Sequence, residues 1–221
     1  MTERQQILLK ELLEAYISQA EPVSSAVLAK RIAVSSATVR NELAALEEQG
    51  YVLQPHTSAG RVPTLKAYEL YVQTFLQPKA PTATVQERLN DARKQQDAEK
   101  AVARILADIT GVAVFVAKDK NSFFYTGLSQ LFAQPEFMDQ RYVVNLSAVL
   151  DVLDTVMPKL FDVAQTESSI LLGKQNPFGP TSSLFLTHMH WQAETDGLCA
   201  VLAPLRTDYN RHVGLLNSLK S

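Results

Sequence analysis

Ser35-Ser36-Ala37-Thr38-Val39-Arg40-Asn41-Glu42-Leu43-Ala44-Ala45-Leu46 decides how this chain is read. Val39, Leu43 and Leu46 recur at helical spacing and share one face. Two serines stand where a helix start needs side-chain oxygens for its orphan N–H groups, and Gly50 supplies the left-handed residue that stops a helix. The opposite face carries Ala37 and Asn41, flanked by Ser36, Thr38 and Arg40. Such a face suits the DNA major groove: Asn can bond adenine at two points, Arg can bond guanine, and Ala or the Thr methyl can pack on a thymine methyl. Ser35 and Ser36, with the N–H groups at the helix start, suit a phosphate oxygen.

Upstream, Leu9, Leu12, Leu13, Tyr16 and Ile17 mark a first helix, with Thr2 and Gln5 at capping-box spacing. After Glu21-Pro22 a second, short helix runs through Val27, Leu28 and Ile32, capped by Ser24 or Ser25. It ends at Lys30 and Arg31, beside the turn, where contacts to a DNA backbone are expected. Downstream, Tyr51-Val52-Leu53 and Arg61-Val62 read as strands joined by the turn His56-Thr57-Ser58-Ala59-Gly60. Pro55 and Pro63 flank them, which suits a projecting hairpin. His56, Thr57 and Ser58 offer donors, and Arg61 offers a cation for a phosphate or the minor groove. Thr64 is expected to cap a further helix through Tyr68, Tyr71, Val72 and Phe75. A serine-capped amphipathic helix is equally at home in a plain helical bundle. The hairpin tips the balance toward a winged helix-turn-helix over residues 1–76.

The chain has 221 residues, 46% hydrophobic and 20% charged, ordinary values that exclude a disordered or fibrous protein. A formal net charge of -2 argues against indiscriminate coating of nucleic acid. Site-specific binding needs only cations clustered on one face. No apolar run reaches bilayer length, and the start leads into an amphipathic helix rather than a secretory signal, so a cytoplasmic protein with no membrane partner is expected. The lone cysteine, Cys199, has no zinc-type partners nearby and reads as a buried strand residue. No cofactor is expected.

Gln77-Pro78-Lys79-Ala80-Pro81-Thr82 reads as a linker. One long helix follows from about Gln86, polar as far as Lys100 and apolar on one face at Val102, Ile105, Leu106 and Ile109. Linker and helix make up residues 77–110. Residues 111–221 hold strand candidates at 112–116, 122–125, 170–172, 184–186 and 198–202, with helices at about 143–160 and 208–219, an α+β domain for regulation or dimerisation. His188 and His190 alternate on a strand and share a face, which permits two metal ligands, but no third ligand is visible and no nucleophile set is identifiable. They read as ordinary sheet-face residues beside Trp191, and the protein is not expected to be an enzyme. The alternative to a plain repressor is a ligand-sensing winged-helix regulator whose rear domain binds a small molecule, although no Gly-rich phosphate loop supports it.

The stretch Ser35 to Leu43 and, more specifically, Gln54-Pro55-His56-Thr57-Ser58-Ala59-Gly60-Arg61-Val62-Pro63-Thr64 resemble the HrcA-type heat-inducible transcription repressors. Tyr125-Thr126-Gly127-Leu128-Ser129-Gln130-Leu131 with Gln134-Pro135-Glu136-Phe137, Gly173-Lys174-Gln175-Asn176-Pro177 and Pro204-Leu205-Arg206-Thr207-Asp208-Tyr209 are similar to that family's second domain. The resemblance implies a winged helix fused to a GAF-like antiparallel-sheet domain. It also implies a homodimer on an inverted-repeat operator before chaperone genes, with the chaperonin as a partner that helps keep the repressor active. Members of that family are longer and carry further sheet elements and an inserted dimerisation domain where residues 117–124 lie here. Ala203 and Thr207 stand where the family usually has Gly and Met. A homodimer held by residues after Gln77 is still expected, through the long helix before Gly111 and the sheet edge at 117–124, because a single such module buries too little surface for tight, selective binding.

Overall fold

In the computed structural model of the chain, Thr2, Ser24 and Ser35 each begin a helix by accepting a backbone N–H from three residues on. The structure describes residues 1–120, 122–137, 151, 153–164, 167–191 and 195–220, which fall into two units, Met1–Leu76 and Gln77–Ser221. In the first, α1 (Glu3–Gln19) starts with a complete capping box between Thr2 and Gln5. α2 (Ser25–Ile32) and α3 (Ser36–Glu48) follow. Leu8, Leu9, Leu12 and Leu13 of α1 bury against Leu28 of α2 and Val39, Leu43 and Leu46 of α3, each such side chain contributing about 1.5–3 kcal/mol of hydrophobic stabilisation. Ala33 turns the chain between α2 and α3 with φ 53°, a left-handed conformation that glycine adopts more easily.

Gly50, φ 76°, ends the run of α3. β1 (Val52–Leu53) pairs antiparallel with β2 (Val62–Pro63). The hairpin is anchored beyond its own ladder, because Arg61 and Val23 exchange two backbone hydrogen bonds of 2.9 Å. A Cβ on Gly60 would lie 2.4 Å from the Val23 carbonyl, so this approach requires glycine. Thr64 precedes α4 (Leu65–Thr74) but makes no side-chain cap. Its hydroxyl donates instead to the Gly50 and Tyr51 carbonyls, at 2.8 and 3.1 Å, because the chain leaving α3 also needs its carbonyls satisfied.

The second unit departs from the expected single long helix. α5 (Ala83–Arg93) and α6 (Ala98–Thr110) are separate and pack on each other. The break at 94–97 lets Leu89 and Ala92 of α5 be covered as well as Val102, Ala103 and Leu106 of α6. The segment read as a linker lies along the last helix, α9 (Tyr209–Asn217). Gln77 N–H donates to Asn210 Oδ1 at 2.7 Å and Lys79 N–H to the Asn210 carbonyl at 2.9 Å. Gly214 permits the approach: a Cβ there would sit 1.8 Å from the Lys79 oxygen.

Five antiparallel strands are described, β3 (Ala113–Ala117), β4 (Phe123–Thr126), β5 (Ser169–Leu171), β6 (Ser182–Trp191) and β7 (Thr195–Pro204), in the order β4-β3-β7-β6-β5. β6 and β7 run ten residues each, well beyond the apolar runs that signal them. α7 (Leu128–Phe132) is followed by a 3-10 turn at Pro135–Phe137. Of the helix expected at 143–160, residues 143–150 and 152 lie outside the described residues; α8 (Leu153–Val163) is helical and runs beyond the expected end. Cys199 is fully buried on β7, and burial pushes its thiol up to about 12. Helices with an antiparallel sheet make the fold α+β.

Candidate nucleic-acid interface

The face of α3 away from Val39, Leu43 and Leu46 exposes Ala37, Arg40 and Asn41, with Ser36 and Thr38 half-buried at its start. The serines are already engaged. Ser35 Oγ accepts the Thr38 N–H at 3.1 Å and lies 2.9 Å from the Thr38 hydroxyl. Ser36 Oγ is 3.0 Å from Ser25 Oγ, which joins the starts of α3 and α2. Arg40 reaches Ser36 only at 3.5 Å, and Asn41 has no side-chain hydrogen bond among the described residues. Ala37, Arg40 and Asn41 therefore project with little internal engagement, whereas Ser35, Ser36 and Thr38 build the helix start. Glu42 turns toward α1, accepting from Gln5 Nε2 at 3.0 Å and standing 3.7 Å from Arg4.

At the end of α2, Lys30 is exposed, and Arg31 pairs with Glu11 of α1 at 3.2 Å. An exposed pair of this kind contributes about 0–1 kcal/mol and is readily exchanged for another anion. His56, Thr57 and Ser58 are exposed in the hairpin loop. Gln54 organises that loop by donating to the Thr57 and Ala59 carbonyls, both at 3.0 Å.

Arg61 does not point freely into solvent. Its side chain is 18% exposed and its Nη2 lies 2.9 Å from Glu47 Oε2, while Glu47 Oε1 accepts the Gln54 N–H at 3.0 Å. Glu47 and Gln54 are thus parts of the site that sequence reading missed. Ser24, Ser25, Arg40, Gln54, Ser58 and Arg61 line a cleft of about 340 Å³ between the start of α2, the middle of α3 and the hairpin. Two guanidinium groups and several hydroxyl and amide donors facing one cleft form a surface able to take an oxyanion such as a phosphodiester.

In the second unit, a groove of about 260 Å³ is lined by Lys79, Pro81, Val85, Ile109, Arg211 and Leu215. His188 is half-buried with its ring edge-on to Phe161 at 6.0 Å, and His190 is exposed. Among the described residues no group of three or more His, Cys, Asp and Glu is placed to hold a metal ion, and no helix is long and apolar enough to cross a membrane.

Residues 30–213 match the family described as HrcA protein C terminal domain. The chain is 44% identical over 122 residues to the heat-inducible transcription repressor HrcA of Bifidobacterium animalis subsp. lactis, a match covering 52% of this chain and 33% of that protein. It is 43% identical over 123 residues to the repressor of the same name from Brevibacillus brevis, covering 52% of this chain and 36% of that protein. The matched segment therefore spans about a third of the length of these relatives. A crystal structure of a hypothetical protein, 18% identical, aligns over 100% of this chain and 96% of that one with a TM-score of 0.73, a likeness of fold.

Proposed function

Since the chain belongs to the HrcA family, we propose that it is a sequence-specific, DNA-binding transcription repressor, with Met1–Leu76 a winged helix-turn-helix and Gln77–Ser221 a GAF-like regulatory and dimerising domain. The observation that carries this reading is the exposed Ala37, Arg40 and Asn41 face of α3 beside a hairpin that shares a two-arginine cleft with it. α3 lies in the major groove, where Arg40 and Asn41 meet base edges and Ala37 a thymine methyl. Lys30, Arg31, Ser35, Ser36 and Thr38 line the backbone on one side, and His56, Thr57, Ser58 and Arg61 on the other. The relatives named as repressors favour this over a ligand-sensing regulator, and no catalytic role is proposed.

The repressor acts in the cytoplasm as a homodimer on an inverted repeat before chaperone genes, with the chaperonin as a partner; family membership supports these points. On the apolar face of α6, expected to help join the protomers, Val102 and Leu106 are buried where α6 packs on α5, β3 and β4, and only Ile105 and Ile109 stay half-buried. The outer edge of β4, which pairs with no further strand among the described residues and carries Tyr125 44% exposed, is the surface for self-association. Selection of bound duplexes from a random DNA pool by the full chain tests the proposal. An enriched inverted repeat with two protected half-sites is expected. A single half-site would remove the dimer, and no enrichment would remove the repressor.

A further inference from the structure

Between the reading helix and the hairpin of the proposed DNA surface stands a carboxylate, where simple electrostatics would not put it. Glu47, in the last turn of α3, accepts the Gln54 N–H with Oε1 and holds Arg61 Nη2 with Oε2. Gln54 in turn holds the carbonyls of Thr57 and Ala59. A single run of contacts therefore leads from the reading helix to both sides of the hairpin and its loop. The neighbouring Glu42 is tied to Arg4 and Gln5 on α1 and takes no part.

The contact to Arg61 has a telling form. Strong arginine–carboxylate pairs are two-point forks. Here only Nη2 is engaged, and Nε is buried with no acceptor among the described residues. The carboxylate is 36% exposed, so the pair is of the weak, exchangeable kind. Arg61 also lines the cleft that Arg40 shares, so a phosphate arriving there meets a guanidinium held at one point and short of acceptors.

Resting on the DNA-binding reading above, we propose that Glu47 is a specificity-determining residue, occupying Arg61 in the place of a DNA phosphate until α3 docks on its preferred site. In the DNA-free protein the carboxylate neutralises the guanidinium, and the cleft offers the charge of Arg40 alone. Sequence-independent affinity grows with the number of phosphates neutralised, and on random DNA that number stays one short. No base contact there offsets parting Arg61 from Glu47. On the preferred site, contacts from α3 fix the docked position and hold a phosphate at the cleft, and Arg61 changes partner. The carboxylate thus gives up general affinity for discrimination, which is a difference between two affinities.

Glu47→Gln in the full chain keeps an acceptor for the Gln54 N–H and removes the charge. The expected result is about two- to fivefold tighter binding to a random duplex, the scale of one partly exposed ion pair, with a salt slope steeper by about 0.9. Binding to the preferred site should tighten less, so the ratio of the two affinities falls. Glu48→Gln makes the same change of net charge one residue away and should leave that ratio unchanged. Glu47→Met, neutral and of similar length, repeats the test if the first variant does not fold. Weaker binding to both duplexes, unchanged binding, or an equal fall in the ratio with Glu48→Gln would overturn the proposal. A wild-type chain with no preferred site would instead remove the DNA-binding reading on which it rests.

Discussion

The two units place their polar side chains in opposite ways. In Met1–Leu76 the polar side chains are exposed or half-buried, and Gln5 is its buried polar residue among those described. In Gln77–Ser221, Asn176, Ser182, Ser183, Thr187, Thr207 and His212 are all buried. Asn176 donates to the Ser182 carbonyl and hydroxyl at 2.8 and 2.9 Å and accepts the Phe178 N–H at 3.0 Å. Ser183 donates to the Pro204 carbonyl at 3.0 Å, and Thr207 and His212 lie 2.6 Å apart. These groups fix loops and strand ends and are not available to a partner, although His212 engages only its Nε2 and leaves Nδ1 buried without an acceptor or donor among the described residues. Salt and DNA sequence should therefore act on the first unit, and pH on the stability of the second.

The largest effect expected from this contrast is at His212. Burial against Phe185, with ring centroids 4.9 Å apart, lowers its pKa to about 4; Asp208 partly opposes the shift and Arg211 adds to it. The unfolded chain takes up this proton near pH 6.5, whereas the folded chain does not until about pH 4. The stability this group contributes above pH 6.5 should therefore be lost as pH drops toward 4, by on the order of 3 kcal/mol, and no more is lost through it below. Urea unfolding followed by the fluorescence of the single tryptophan, Trp191, whose Nε1 donates to the Ala117 carbonyl at 3.0 Å, measures this. The slope should disappear in His212→Gln. A slope that survives the substitution would assign it to another group and weaken the contrast between the units.

A smaller effect sharpens the other side. Ser35→Ala removes the cap of α3 and should cost about 1 kcal/mol, seen as amide hydrogen exchange in the first turns of α3 about fivefold faster. DNA affinity should drop modestly and equally on all sequences, because the hydroxyl is committed to Thr38. Loss confined to the preferred site would make Ser35 a reader rather than a cap.

The same contrast governs what could be read in advance. α1 to α3 and the hairpin carry local signals: Thr2 with Gln5, Ser24, Ser35, and Gly50 with its positive φ. The second unit is written in long-range contacts. Residues 77–82 look like a linker because their partner, Asn210, is more than a hundred residues away. The break between α5 and α6 falls in Lys94-Gln95-Gln96-Asp97, which has neither glycine nor proline to announce it. β6 was legible only at 184–186 because Thr187, His188 and His190 interrupt its apolar pattern. In the site, the exposed residues of α3 follow from helical periodicity. The inward turn of Arg61 does not, because Glu47 looks like any solvated charge late in a helix until β2 brings Arg61 against it.

The central claim, that α3 reads bases, is tested most directly by Asn41→Ala. Affinities of wild type and variant are compared on the selected duplex, on its single-base variants and on a random duplex at one salt concentration. Asn41 is exposed and makes no side-chain hydrogen bond among the described residues, so its removal should leave the fold intact. The expected result is a loss of about 1–3 kcal/mol on the selected duplex, a relaxed preference at one base pair, and almost no change on random DNA. An equal loss on selected and random duplexes would contradict the account.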